Sequence, residues 1–133
     1  MSRPVKIPGP EHPIAIEPSG SRLTVHVGGR QVAETGNALV LAEADYPAVY
    51  YVPREDVDMS RLTRTASEYY CPYKGDATFY SVRTEAGEVV EDAVWSYEQP
   101  FDAVAPIAGH LAFYPQHATF TTEGTAEDAA EAG

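Results

Sequence analysis

No stretch of this chain repeats apolar side chains at the 3.6-residue period of a long amphipathic helix, whereas several alternate them at the two-residue period of a half-buried strand. Leu23, Val25 and Val27 alternate with Arg22, Thr24 and His26. Gly28-Gly29 can supply the positive φ angles of a tight hairpin turn, from which the chain returns as Arg30 to Thr35. Further strands are expected at 38–43, 48–52, 76–84, 88–97, 110–114 and 118–122, with Glu85-Ala86-Gly87 turning between two of them. Pro53-Arg54-Glu55-Asp56 opens a loop or helical turn reaching Leu62, and Asp102 to Ile107 has room for one more. Many short strands punctuated by glycine and proline predict a mainly β, antiparallel fold with short helical turns at most.

The chain has 133 residues, enough for one domain with its own core. Five of its eleven prolines fall in the first 18 residues, so segment 1–20 is expected to be an extended arm laid over the body or a partner. Segment 21–122 would be the β domain, and 123–133, small and acidic, a disordered tail or frayed helix. The net charge of −11 repels phosphate backbones and anionic membrane surfaces, which argues against nucleic-acid and membrane partners. It also serves solubility. No apolar run approaches the roughly 20 residues that span a bilayer. The N-terminal segment shows no secretory signal, so cytoplasmic residence is the expectation. One cysteine makes neither an internal disulfide nor a multi-cysteine zinc site.

The chemistry gathers around Tyr69-Tyr70-Cys71-Pro72-Tyr73-Lys74-Gly75 and Trp95-Ser96-Tyr97. These segments hold the only cysteine, the only tryptophan and one of two lysines, and all nine tyrosines lie between Tyr46 and Tyr114. Tyrosine supplies a flat apolar body with a polar tip, so rings around one amine predict a pocket or groove. A lysine held against rings is desolvated and can act as a base, a nucleophile or a phosphate contact; a cysteine beside it gains thiolate character. The plainer reading makes Cys71 a small core residue and lets Lys74 reach to solvent. Trp95 and Tyr97 share strand parity with Ala93 and Glu91, opposite Val90 and Val94, and either floor a site or fill the core. Tyr50 and Tyr51 point to opposite faces, so one of them is core and the other is available to a cleft. Among the four histidines, His110, just before Leu111-Ala112-Phe113, is the one expected near the aromatic cluster. The candidate ligand-binding set is therefore Tyr50, Tyr51, Cys71, Lys74, Trp95, Tyr97, His110 and Phe113, with Cys71 and Lys74 the catalytic candidates.

Asp56-Val57-Asp58 has the i, i+2 carboxylates of magnesium-dependent nucleotidyl transfer. That chemistry also wants a Gly-Ser turn shortly upstream and a third carboxylate, and Gly20-Ser21 stands too far away. Capping of the following turn accounts for Asp58 with less. No metal or other cofactor is expected.

Five segments in order resemble the family catalogued as domain of unknown function 427: Val27 to Ala33, Tyr50 to Val57, Cys71 to Ala77, Ala93 to Pro100, and Ile107 to Tyr114. The resemblance covers about Ser21 to Tyr114. It implies a β-tent-like fold, two small antiparallel sheets meeting at an angle, similar to methionine sulfoxide reductase B and other zinc-bearing relatives. Those relatives hold zinc through two cysteine pairs; with one cysteine, this chain should replace that site by packed aromatics. The family is sometimes labelled nucleotidyltransferase-like, which implies the carboxylate chemistry weighed at Asp56 and Asp58.

Three functions remain open on these residues. The first is binding of a planar or cyclic small molecule in an aromatic-lined cleft. The second is group transfer at Cys71 or Lys74, with nucleotidyl transfer as a branch. The third is a homodimeric interaction module that uses an edge strand or the proline-rich arm.

Overall fold

The computed structural model describes residues 4–123. Ten strands form three antiparallel sheets, joined by turns and three short 3-10 segments. The mainly β architecture follows the alternation, although the strands fall into one more sheet than the two the resemblance implies. The strands are β1 (Ile14–Pro18), β2 (Arg22–Val27), β3 (Arg30–Thr35), β4 (Leu39–Glu43), β5 (Val49–Tyr51), β6 (Leu62–Cys71), β7 (Gly75–Arg83), β8 (Val89–Ser96), β9 (Leu111–Phe113) and β10 (Ala118–Glu123). Their orders are β1-β4-β5, β10-β2-β3 and β6-β7-β8-β9. A bridge between Val52 and Leu111, with reciprocal amide bonds of 2.8 Å, ties the β5 end to β9. No helix among the described residues is long and apolar enough to cross a membrane. The acidic segment 124–133 lies outside the described residues.

The four-stranded sheet is covered on both faces, and this is what creates the site. Tyr80 and Val82 of β7, Val94 of β8, and Leu111 and Phe113 of β9 join one core with Leu23, Val25 and Val27 of β2. From the opposite face, Ala77, Tyr97 and Ala112 join a second core with Leu41 and Tyr51, and Phe79 and Trp95 pack against it. Two-residue alternation thus sends neighbouring side chains to different layers. Ala93 breaks the expected parity: it sits in the first core with Val94, not beside Trp95. The cause is a register shift between Tyr80/Val94 and Val82/Val90, where Asp92 adopts a φ of 50°.

Two strands, β1 and β6, lie outside the set expected from the sequence. β1 lies within the segment expected as an extended arm, between Pro13 and Pro18, and runs antiparallel to β4 with Ile14 opposite Glu43. As an edge strand it tolerates flanking prolines, which donate no ladder bond. β6 is mostly exposed, so it shows no regular apolar period. Its register shifts between Arg64 and Glu68, where Thr65 and Ser67 donate hydrogen bonds of 2.7 and 2.6 Å to the two oxygens of Asp92. Those bonds, Ser67's foremost, hold the Asp92 carboxyl below its ordinary range.

The Gly28-Gly29 turn forms as predicted, with φ of 57° and 80°. The two positions differ in space: a Cβ on Gly28 would come within 2.5 Å of Thr84 Cγ2, whereas Gly29 faces open space. Gly28→Ala is expected to destabilise by about 2–3 kcal/mol, backbone strain plus the clash, and Gly29→Ala by about 1–2 kcal/mol from strain alone. Urea unfolding of both variants checks this; equal losses would show that the Thr84 contact is immaterial.

Candidate functional site

Between the β4–β5 face and the four-stranded sheet lies a hollow of about 680 Å³. Tyr51, Val49 and Leu41 line it from one side, and Phe79, Trp95 and Tyr97 from the other. Tyr46, Tyr69 and Tyr114 complete the ring set, and Glu43, Glu68 and Lys74 bring charge. The local reason is register. Phe79 of β7 stands opposite Trp95 of β8, and Tyr69 of β6 opposite Ala77, so same-parity side chains of adjacent strands share one face.

The walls are held by ring contacts. The Trp95 indole N–H donates to the Tyr51 hydroxyl at 3.2 Å, and the two rings meet edge to face, with centroids 6.3 Å apart. The Tyr114 ring lies 4.4 Å from Trp95 at a tilt of 46°. Burial pushes the Tyr51 and Tyr97 phenols far above their ordinary range, so both stay neutral.

Lys74 ends the turn that follows β6: its amide donates to the Cys71 carbonyl at 3.2 Å, and its own carbonyl accepts from Phe101 N at 3.0 Å. The residue is 8% exposed. Its ammonium donates to Oε1 of Glu43 and lies 5.9 Å from the centre of the Tyr97 ring. The other carboxylate oxygen, Oε2, is 2.7 Å from Nε2 of His12. His12 in turn stacks on Tyr73, with centroids 4.0 Å apart and planes 7° from parallel. Glu43 thus bridges the N-terminal segment and the β6–β7 turn. Burial raises its carboxyl, but the hydrogen bonds and charges of Lys74 and His12 outweigh this and hold it below the ordinary value.

The structure gathers four of the eight nominated residues on this hollow: Tyr51, Lys74, Trp95 and Tyr97. The other four are placed elsewhere. Tyr50 turns to the first core and packs on Phe120, with centroids 5.7 Å apart, which settles which of the paired tyrosines faces the cleft. Phe113 is buried in that same core, because β9 alternation sends it away from Ala112. Cys71 is a free thiol, 7% exposed, packed into the second core behind the hollow. His110 lies in a separate shallow dent with Pro53 and Arg54, its Nδ1 3.1 Å from the Ala108 carbonyl. His12 is the histidine that reaches the site. Its signal was the turn Gly9-Pro10-Glu11-His12, closed by reciprocal amide bonds between Gly9 and His12. Glu43 gave none, since its role depends on partners distant in sequence. Asp56 accepts from the Thr35 hydroxyl at 2.7 Å, and Asp58 caps the 3-10 turn Met59–Arg61 through Ser60 N at 3.2 Å. Both act as turn anchors beside β3. Among the described residues no three potential metal ligands converge.

A family model described as a domain of unknown function (DUF427) matches residues 15–124. No curated protein matches the chain.

Removing one member of a mostly buried ion pair leaves its partner uncompensated. Glu43→Gln is expected to destabilise by about 2 kcal/mol at neutral pH. Because the folded-state carboxyl lies below its ordinary value of 4.5, its stabilisation is complete above that value and is lost as pH falls through the folded one. The gap between wild type and variant should therefore be constant at neutral pH and close in acid. Urea midpoints measured from pH 7 to pH 3 test this; a gap that widens in acid contradicts it.

Proposed function

We propose that this chain, which belongs to the DUF427 family, binds a planar or cyclic small molecule in the hollow between β4–β5 and the four-stranded sheet. The observation that carries the reading is convergence. Trp95, Tyr97 and Tyr51, from two sheets, share one concave surface with an ion-paired lysine. A hollow of about 680 Å³ is the size of a metabolite site. Ring walls stack a flat ligand, and the few polar groups at its edge orient it. Group transfer at Cys71 or Lys74 has less behind it: the thiol is turned into the core, and the amine already holds a carboxylate.

A second reading has one observation in its favour. β6 runs for ten residues with only β7 beside it among the described strands, an edge long enough to pair with a second copy of the chain. Light scattering of the chain over a range of concentrations distinguishes monomer from dimer, and a mass that stays monomeric throughout overturns this second reading.

The binding reading is tested by thermal shift against a metabolite and nucleotide library. A ligand at ten times its Kd adds about 1.4 kcal/mol, a rise of several degrees for a chain of this size. The rise should vanish in Trp95→Ala. Equal responses of wild type and variant, or no response to any compound, overturn the reading.

A further inference from the structure

The charge of the hollow points to the class of its occupant. Glu43 is engaged at both oxygens: one accepts from Lys74 and the other faces His12. Lys74 is matched by Glu43, so the pair brings no net charge to the hollow. Glu68, by contrast, is exposed at the mouth on β6, and no hydrogen bond or ion pair holds its side chain among the described residues. The lining therefore carries two carboxylates against one ammonium.

The rings favour the same sign. Trp95 spends its N–H on Tyr51, so the indole donor is turned into the wall and the hollow is left with ring surface. Tyr114 leans over Trp95 at 46°, while Tyr51 stands nearly perpendicular to it at 88°. Tyr69, 56% exposed, and Tyr46, 65% exposed, stand at the rim. Aromatic faces attract cations, and most strongly those whose charge is alkylated or delocalised and therefore weakly hydrated.

We infer that the hollow selects a planar organic cation, an N-alkylated or delocalised nitrogen ring, with the Trp95 and Tyr114 rings beside it and the exposed Glu68 at the mouth drawing its charge. This rests on the binding reading above and narrows it to one ligand class. The ion pair of Lys74 and Glu43 acts as a neutral wall here, and Glu68 supplies the selecting charge.

The test uses three probes of nearly one shape: 1-methylnicotinamide (cationic), nicotinamide (neutral) and nicotinate (anionic). Trp95 is the sole tryptophan, so its indole N–H gives a single NMR signal seated on the hollow. The cation should shift that signal with a Kd about tenfold tighter than the neutral probe, and the anion should bind weakest. Glu68→Gln, an exposed substitution, should weaken the cation about threefold and leave nicotinamide unchanged. Glu68→Lys should weaken the cation further. Equal binding of all three probes, preference for nicotinate, or a cation preference untouched by both Glu68 variants overturns the inference. So does silence from all three at millimolar concentration. The library screen decides separately whether the hollow binds small molecules at all. A neutral or anionic hit there, lost in Trp95→Ala, keeps the cleft and discards the cation.

Discussion

Glu43 is the group on which the candidate site depends. It stands at the end of β4, yet its two oxygens engage Lys74 from the β6–β7 turn and His12 from the N-terminal segment. Each partner is 31 positions away. Burying an ammonium beside rings is costly unless a carboxylate accompanies it. That accompaniment fixes how the β1-β4-β5 sheet sits on the four-stranded one, and the space left between them is the hollow. His12 adds to this by stacking on Tyr73, so the N-terminal segment is held by ring contact as well as charge.

The second constraint is that one sheet serves two cores. Strands covered on both faces lose the clean division into apolar and polar sides. On β7 the apolar residues Phe79 and Tyr80 are adjacent, one turned to the hollow and the other to the β2 side. The bulge at Asp92 resets the alternation on β8, so that Ala93 and Val94 both reach the first core while Trp95 reaches the second. Its carboxylate fastens Thr65 and Ser67 of the edge strand, two residues before Tyr69 reaches the rim of the hollow. A local irregularity in β8 therefore helps to place a side chain contributed by β6.

Much of the fold was legible. The β2–β3 hairpin, the β7–β8 pair and the closing β10 all follow from alternation and glycine placement. β1 was hidden because prolines flank it, and β6 because an exposed edge needs no apolar period. At the site, Trp95, Tyr97, Tyr51 and Lys74 could be nominated because rings and a rare amine cluster along the chain. His110 is close to Phe113 in sequence, but that segment joins the sheet edge with its histidine in another dent. His12 lies outside the tyrosine-rich stretch, so no local pattern connects it to the rings.

By itself the amino-acid order determined the antiparallel β character, the tight turn at Gly28-Gly29, and the presence of a ring-rich surface with one lysine in it. These are properties of short stretches, where side-chain period and backbone sterics act over a few bonds. Tertiary structure alone decided that Tyr51 and not Tyr50 faces the hollow, that Cys71 turns inward, and that Glu43 accompanies the lysine. Such choices depend on which sheet covers which face and on charges brought together from distant parts of the chain. No local pattern encodes them, because the energy that selects them exists only once the layers are in contact.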